Sequence, residues 1–281
     1  MNTVSQTFNW NRFIATLRKE VVENRRILLF TVIGIYALLT VIMIMGNVIN
    51  HTPMDVDRQI FTKTPQSLVF MTFSFFVIAV ASMAFYGLRT KAGRTNMFMS
   101  PSSNLEKFIV NVLIYIVAMI VVFFAGAQLA DLTRVAVLKP FEDNGFVVPG
   151  PINFLKLISF GNEELPSNIQ ELQFWTGIST LLATIASIAV YFLGSVFWPR
   201  FSLLKTFLTI FIIQIVTVVL VVVLVEVDAT GDIKMWLKDN VNNGNVFRAM
   251  SLFMAIVTVL ACSLSWYLFK RKDVVSLKWW K

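Results

Sequence analysis

Few residues in this chain could do covalent or metal chemistry. Its single histidine, His51, stands beside Asp55 and Asp57, and its single cysteine, Cys262, lies within an apolar run. One imidazole with two carboxylates on a short polar stretch makes a poor ligand set, and a solvated loop is the plainer reading, with no catalytic residue and no metal ligand. A lone cysteine closes no internal disulfide and builds no cysteine metal cluster. None of the 12 glycines belongs to a G-x-x-x-x-G-K-[ST] phosphate loop, so the chain is expected to hydrolyse no nucleotide itself and to be no enzyme.

Residues suited to a mechanical task are easier to find. In NMFMSPSSNLEKFIV, residues 96–110, Ser103 can accept from the amide three positions on while Glu106 reaches back, the reciprocal box that opens a helix. Pro101 stiffens the turn ahead of it, Asn104 and Lys107 flank the box, and Arg89, Lys91 and Arg94 lie just upstream. The candidate polar groups inside the long apolar runs are amides and hydroxyls, chiefly Asn111, Gln128 and Gln214, suited to interhelical hydrogen bonds or to lining a pathway.

These residues must be held by apolar helices. The chain has 281 residues, 57% hydrophobic and only 14% charged, whereas a soluble domain is about 25% charged. Crossing a hydrocarbon core of about 30 Å takes about 20 apolar helical residues, because lipid offers the backbone no partners. Six runs meet that length: 27–49, 67–88, 108–130, 174–198, 206–225 and 249–269, none containing Asp, Glu, Lys, Arg or His. The absence of ionisable groups at membrane depth argues against ion-coupled carriers, pumps and voltage sensors. The fifth run is rich in Val and Ile, yet 20 unbroken residues are too many for a strand and predict a helix. Ser179, Ala183 and Ser187 put small residues on one face of the fourth.

Charge orients the spans. Counting connecting segments alternately, one side carries 16 Lys and Arg against four acidic residues, and the other eight against twelve. Both termini are therefore expected in the cytoplasm, with the basic face turned to anionic membrane lipid and not to nucleic acid. Residues 8–26 place Trp10, Phe13, Ile14, Leu17 and Val21 at helical spacing opposite Arg12, Lys19 and Glu23. This pattern predicts an amphipathic helix lying flat in the interface or packed on a partner. Segments 131–173 and 226–248 are expected as small external caps, the first with apolar INFLKLISF, the second with IKMWLKDNV before an NNGN break. With no internal repeat visible, a single transmembrane domain over 1–281 is the economical count: all-α and polytopic, with six transmembrane helices, an N-terminal interfacial helix and small external loops.

In sum of its parts the chain resembles the membrane subunits of ABC transporters of the six-helix exporter kind, the type-2 permeases. The resemblance rests on LRKEVVENRRILLF leading into the first span, both ends inside, a basic loop after span two and a polar cap after span five. Permeases of this kind, in Bacteroidetes bacteria above all, often read L-P-x-S-x-x-E-K before span three, and Met99, Ser100, Pro101, Ser102, Ser103, Asn104, Leu105, Glu106 and Lys107 match this with one inserted serine. The resemblance implies a bacterial cytoplasmic (inner) membrane location, a separate ATPase subunit that binds ATP and Mg, and a second permease copy or homologue. It also implies that the loop from Arg89 to Lys107 rests on the ATPase and passes on its motion. Phe, Met, Ser and Thr in the spans suit a hydrophobic or amphipathic substrate. The competing expectation is a non-transporting scaffold, or a mechanotransmission protein acting on an external partner.

Overall fold

The computed structural model describes residues 8–49, 58–144, 150–152, 167–227, 235 and 245–271. His51, Asp55 and Asp57, and most of INFLKLISF, of IKMWLKDNV and of the NNGN break lie outside them. Among the described residues every regular element is helical: α1 (Trp10–Ile49), α2 (Arg58–Met83), a 3-10 turn (Tyr86–Arg89), α3 (Lys91–Met99), α4 (Asn104–Val112), a π-helical turn (Leu113–Ala118), α5 (Met119–Leu138), a 3-10 segment (Lys139–Asn144), α6 (Ser167–Phe197), α7 (Ser202–Val227) and α8 (Asn245–Lys270). Five helical stretches are long and apolar enough to cross a membrane, within 10–48, 104–141, 171–197, 202–220 and 245–270. The Val- and Ile-rich run is the helix α7, as its length demands.

Three boundaries differ from the sequence expectation. The second apolar run, 67–88, stays α-helical only to Met83 and its end turns into the 3-10 segment Tyr86–Arg89. There the chain doubles back so tightly that a Cβ on Gly93 would stand 2.2 Å from the Gly87 carbonyl oxygen, a place only glycine can fill. No separate interfacial helix forms over 8–26: residues 10–26 open the unbroken 40-residue α1, about 60 Å long at 1.5 Å per residue. The third run does not end at Ala130, because α5 continues to Leu138 through Asp131 and Arg134.

The chain divides into two compact units, Met1–Val80 with Pro101–Ile158, and Ala81–Ser100 with Ser159–Lys281. In the first, α1 runs parallel to α4 and α5. The Asn9 amide bonds Glu106 and the Tyr36 hydroxyl bonds Thr133, each pair 97 residues apart. Between those ends, Phe13 packs with Val110 and Ile114, while Ile35, Leu39 and Met43 pack with Phe123, Ala127 and Ala130. Phe73 and Phe76 of α2 close on the same core, their rings 5.1 and 5.4 Å from that of Phe123. Parallel neighbours separated by one return helix are what an alternating series of crossings produces.

The second unit repeats this logic with α6 and α8. Arg248 at the start of α8 bonds Glu171 near the start of α6, 77 residues away. At the far ends Phe192 and Phe269 share Phe85, at ring distances of 5.1 and 5.0 Å. The buried Ser179 and Ala186 of α6, and Ser251, Ala261 and Ser265 of α8, are small enough to let two backbones approach. A Cβ on Gly194 would stand 1.9 Å from the Thr206 hydroxyl, so α7 also leaves α6 at close range.

Candidate functional site: the Glu106 clamp

The box expected from SPSSNLEK is formed. Ser103 Oγ accepts from the Glu106 amide at 3.2 Å and Glu106 Oε2 accepts from the Ser103 amide at 2.8 Å. Capping leaves one carboxylate oxygen free, and α1 takes it. Glu106 Oε1 accepts from the Asn9 amide at 2.8 Å and from Arg12 Nη2 at 3.2 Å. Asn9 in turn caps α1, its Oδ1 accepting from the amides of Asn11 and Arg12. One carboxylate thus ties together the first turns of two helices that begin 94 residues apart, Trp10 and Asn104.

Glu106 has no exposed surface, and Arg12 is a quarter exposed. Burial by itself pushes the Glu106 carboxyl up, but the amides of Asn9 and Ser103 and the Arg12 guanidinium outweigh it and hold the group below the usual carboxylate range. Burial, with Lys19 nearby, pulls Lys107 below the usual ammonium range. Both residues precede the uncharged run that starts at Phe108. A carboxylate held by two backbone amides and a guanidinium is geometrically demanding, and this makes the junction stiff.

Other expected site residues distribute unevenly. From the stripe on residues 8–26, Phe13 is buried and Leu17 packs beside it on Val110 and Ile114, whereas Trp10, Ile14 and Val21 stay exposed. The stripe is therefore half used, against α4. Lys91 and Pro101 are exposed, and Asn104 is half-buried. Arg89 is engaged within its own unit, its guanidinium 5.6 Å over Tyr86 and 5.5 Å over Phe201. Arg94 is half-buried, with Nε out of reach of solvent. Among these three cations only Lys91 is fully presented.

The buried Asn111 donates from Nδ2 to the Lys107 carbonyl of its own helix at 2.9 Å, while Gln128 donates to the Ile152 carbonyl at 3.3 Å. Gln214 is exposed on α7. The first two have structural partners. Compared with family models, curated proteins and solved structures, the chain matches none.

Sequence reasoning found Ser103 and Glu106 but missed Asn9 and Arg12, because a contact across 97 residues leaves no local signal. It also placed Asp131 and Arg134 in a loop. Their i,i+3 spacing, followed by apolar VAVL, was the available sign that the helix goes on.

Proposed function

We propose that this chain is a membrane-spanning permease subunit of an ATP-driven transporter, energised by a separate ATPase and moving a hydrophobic or amphipathic substrate. The observation that carries this reading is the Glu106 clamp. A turn that only begins a helix is served by the Ser103 box alone, yet here the same carboxylate also holds Asn9 and Arg12. A push on the turn at Pro101 then reaches α1 and α4 together, as one stiff pair. Next to this joint the π-helical turn Leu113–Ala118 gives α4 and α5 a place to bend, since such turns interrupt the regular hydrogen-bond ladder.

Copurification tests the partner. Expressed with its native neighbours and solubilised in detergent, the protein should carry a P-loop ATPase, and its lasting absence would end the proposal. A Ser103→Ala, Glu106→Gln double variant tests the joint: it should insert and retain the ATPase but lose transport-linked ATP turnover. Intact turnover in that variant would reduce the clamp to a structural cap.

A further inference from the structure

One end of the second unit gathers cations around a cluster of rings. Phe85 joins Phe192 of α6 to Phe269 of α8, and Phe98 of α3 lies 6.0 Å from Phe269, so the ends of these helices meet there. Arg89, Lys91, Arg200, Lys205, Lys270 and Arg271 belong to the same helix ends and their turns. None of them forms an ion pair with a described residue. The described acidic residues of this unit, Glu171 and Glu226, belong to the opposite ends of α6 and α7. Charge so one-sided attracts anions.

Arg89 is the cation prepared to hold one. Its guanidinium lies 5.6 Å over the Tyr86 ring and 5.5 Å over the Phe201 ring. Such contacts occupy the faces of the group and leave the N–H donors, which radiate in its plane, to fork onto phosphate oxygens. No described residue accepts from them. Phe201 also marks the start of α7. The Lys205 amide donates to the Phe201 carbonyl at 3.0 Å, so the amides of Ser202, Leu203 and Leu204 precede the first bond of the helix and have no partner within it. The Phe201 side chain has no oxygen to cap them, and the first turn has no acidic residue. Ser202 is only 7% exposed and its Oγ is unpartnered. Helical side chains tilt toward the helix start, which puts this hydroxyl beside the free amides. Arg89 thus stands next to an uncapped, electropositive helix end.

The surface that follows is apolar. From Leu203 to Leu220 only Thr206 is buried, and Leu203, Leu204, Phe207 and Leu208 are exposed. Lys205 is the last charge before the uncharged run 206–225. A ligand with phosphate at one end and hydrocarbon at the other matches both parts. An acidic protein surface matches the cations and leaves the apolar face of α7 unmatched.

We propose that Arg89 and the start of α7 bind the phosphate of an anionic phospholipid, whose acyl chains lie along the exposed face of α7. The site differs from a diffuse attraction of basic residues to anionic membrane, because one arginine carries it and not the sum of charge. It needs no ATPase, so its test is independent of the proposed transport.

The test is lipid retention by the delipidated full chain in nonionic detergent, read by native mass spectrometry, with dioleoyl phosphatidylglycerol and dioleoyl phosphatidylcholine as probes. Wild type should prefer the anionic lipid by about tenfold or more, and Arg89→Gln should remove most of that preference, as the loss of a charged hydrogen bond predicts. Lys270→Gln removes the same charge from an exposed position and should change the preference by less than about twofold. A wild type without preference, or equal losses in the two variants, would overturn the site. Glycerol phosphate, the same anion without chains, should not displace the lipid at equal concentration, and displacement would reject the lipid in favour of a free phosphate. If Arg89→Gln keeps the lipid preference and instead sheds a copurified ATPase, the arginine serves an acidic protein surface and the proposal falls. Should Arg89→Gln fail to accumulate, Arg89→Lys decides. It keeps the charge and loses the planar fork, so it must lose more preference than Lys270→Gln, and an equal or smaller loss rejects the site.

Discussion

Replacing Glu106 by Gln separates the clamp from the cap. The substitution keeps size and one acceptor oxygen but turns the other into a donor, which then faces either the Asn9 or the Ser103 amide, both at 2.8 Å. One buried donor is left unmet, at about 1 to 3 kcal/mol. The Arg12 contact adds less. At 3.2 Å and a quarter exposed, it is screened toward the surface-pair range of about 0.2 to 1 kcal/mol. The expected total loss is about 1 to 4 kcal/mol, read as a lowered midpoint of thermal unfolding in detergent. The Arg12→Ala, Glu106→Gln cycle should return a coupling of about 0.2 to 1 kcal/mol. Because the folded carboxyl is held below its ordinary value, the clamp stabilises fully above the carboxylate range, and its contribution is lost as the pH falls through the folded value. The wild-type advantage over the Gln variant should therefore shrink on acidification. A Gln variant as stable as wild type, or an advantage that grows in acid, would refute a clamp by ionised Glu106.

Gly194→Ala should destabilise by about 1 to 3 kcal/mol through overpacking, as its Cβ would stand 1.9 Å from the Thr206 hydroxyl. Thr206→Ala should recover only part of this in the same unfolding assay, because the Thr206 Cβ also lies 3.0 Å away. Phe201 has φ 57° in the turn between α6 and α7, a region that costs a non-glycine residue about 1 to 2 kcal/mol. Phe201→Gly should therefore unfold at a higher temperature than Phe201→Ala, both having lost the Arg89 contact. Thiols introduced at Asn2, Thr95 and Ser276 should label only from the cytoplasmic side and those at Thr64, Asn162 and Thr230 only from the opposite side. A mixed pattern at any of them would show a misplaced crossing.

Local and compositional features were legible early. The all-helical class follows from apolar runs too long for strands, and the Ser103–Glu106 box from a four-residue spacing whose two hydrogen bonds close within one turn. Helix ends were less so. The run 67–88 contains no charge to mark Met83, and its exit is decided by the close approach of Gly93 to Gly87, set by contacts after the helix. Residues 8–26 have the composition of an interfacial helix, but periodicity does not say what covers the apolar side. Val110 and Ile114 do so for Phe13 and Leu17.

By itself the sequence determined which segments cannot remain in water, because about 20 apolar residues in a row leave no alternative to helix in lipid or protein. It determined equally that one turn would be capped, because capping is a contact within four residues. Only the tertiary structure decided what Glu106 does with its second oxygen and that Asp131 and Arg134 are buried against each other. Hydropathy counts a charge as the end of a span, since it registers what a residue is and not which way it turns. The parallel register of α1 and α5 turns these two charges inward, where each meets the other and the backbone of residues 150–152. Partners 16 to 97 residues distant supply the hydrogen bonds that make those positions tolerable, and no local pattern encodes them.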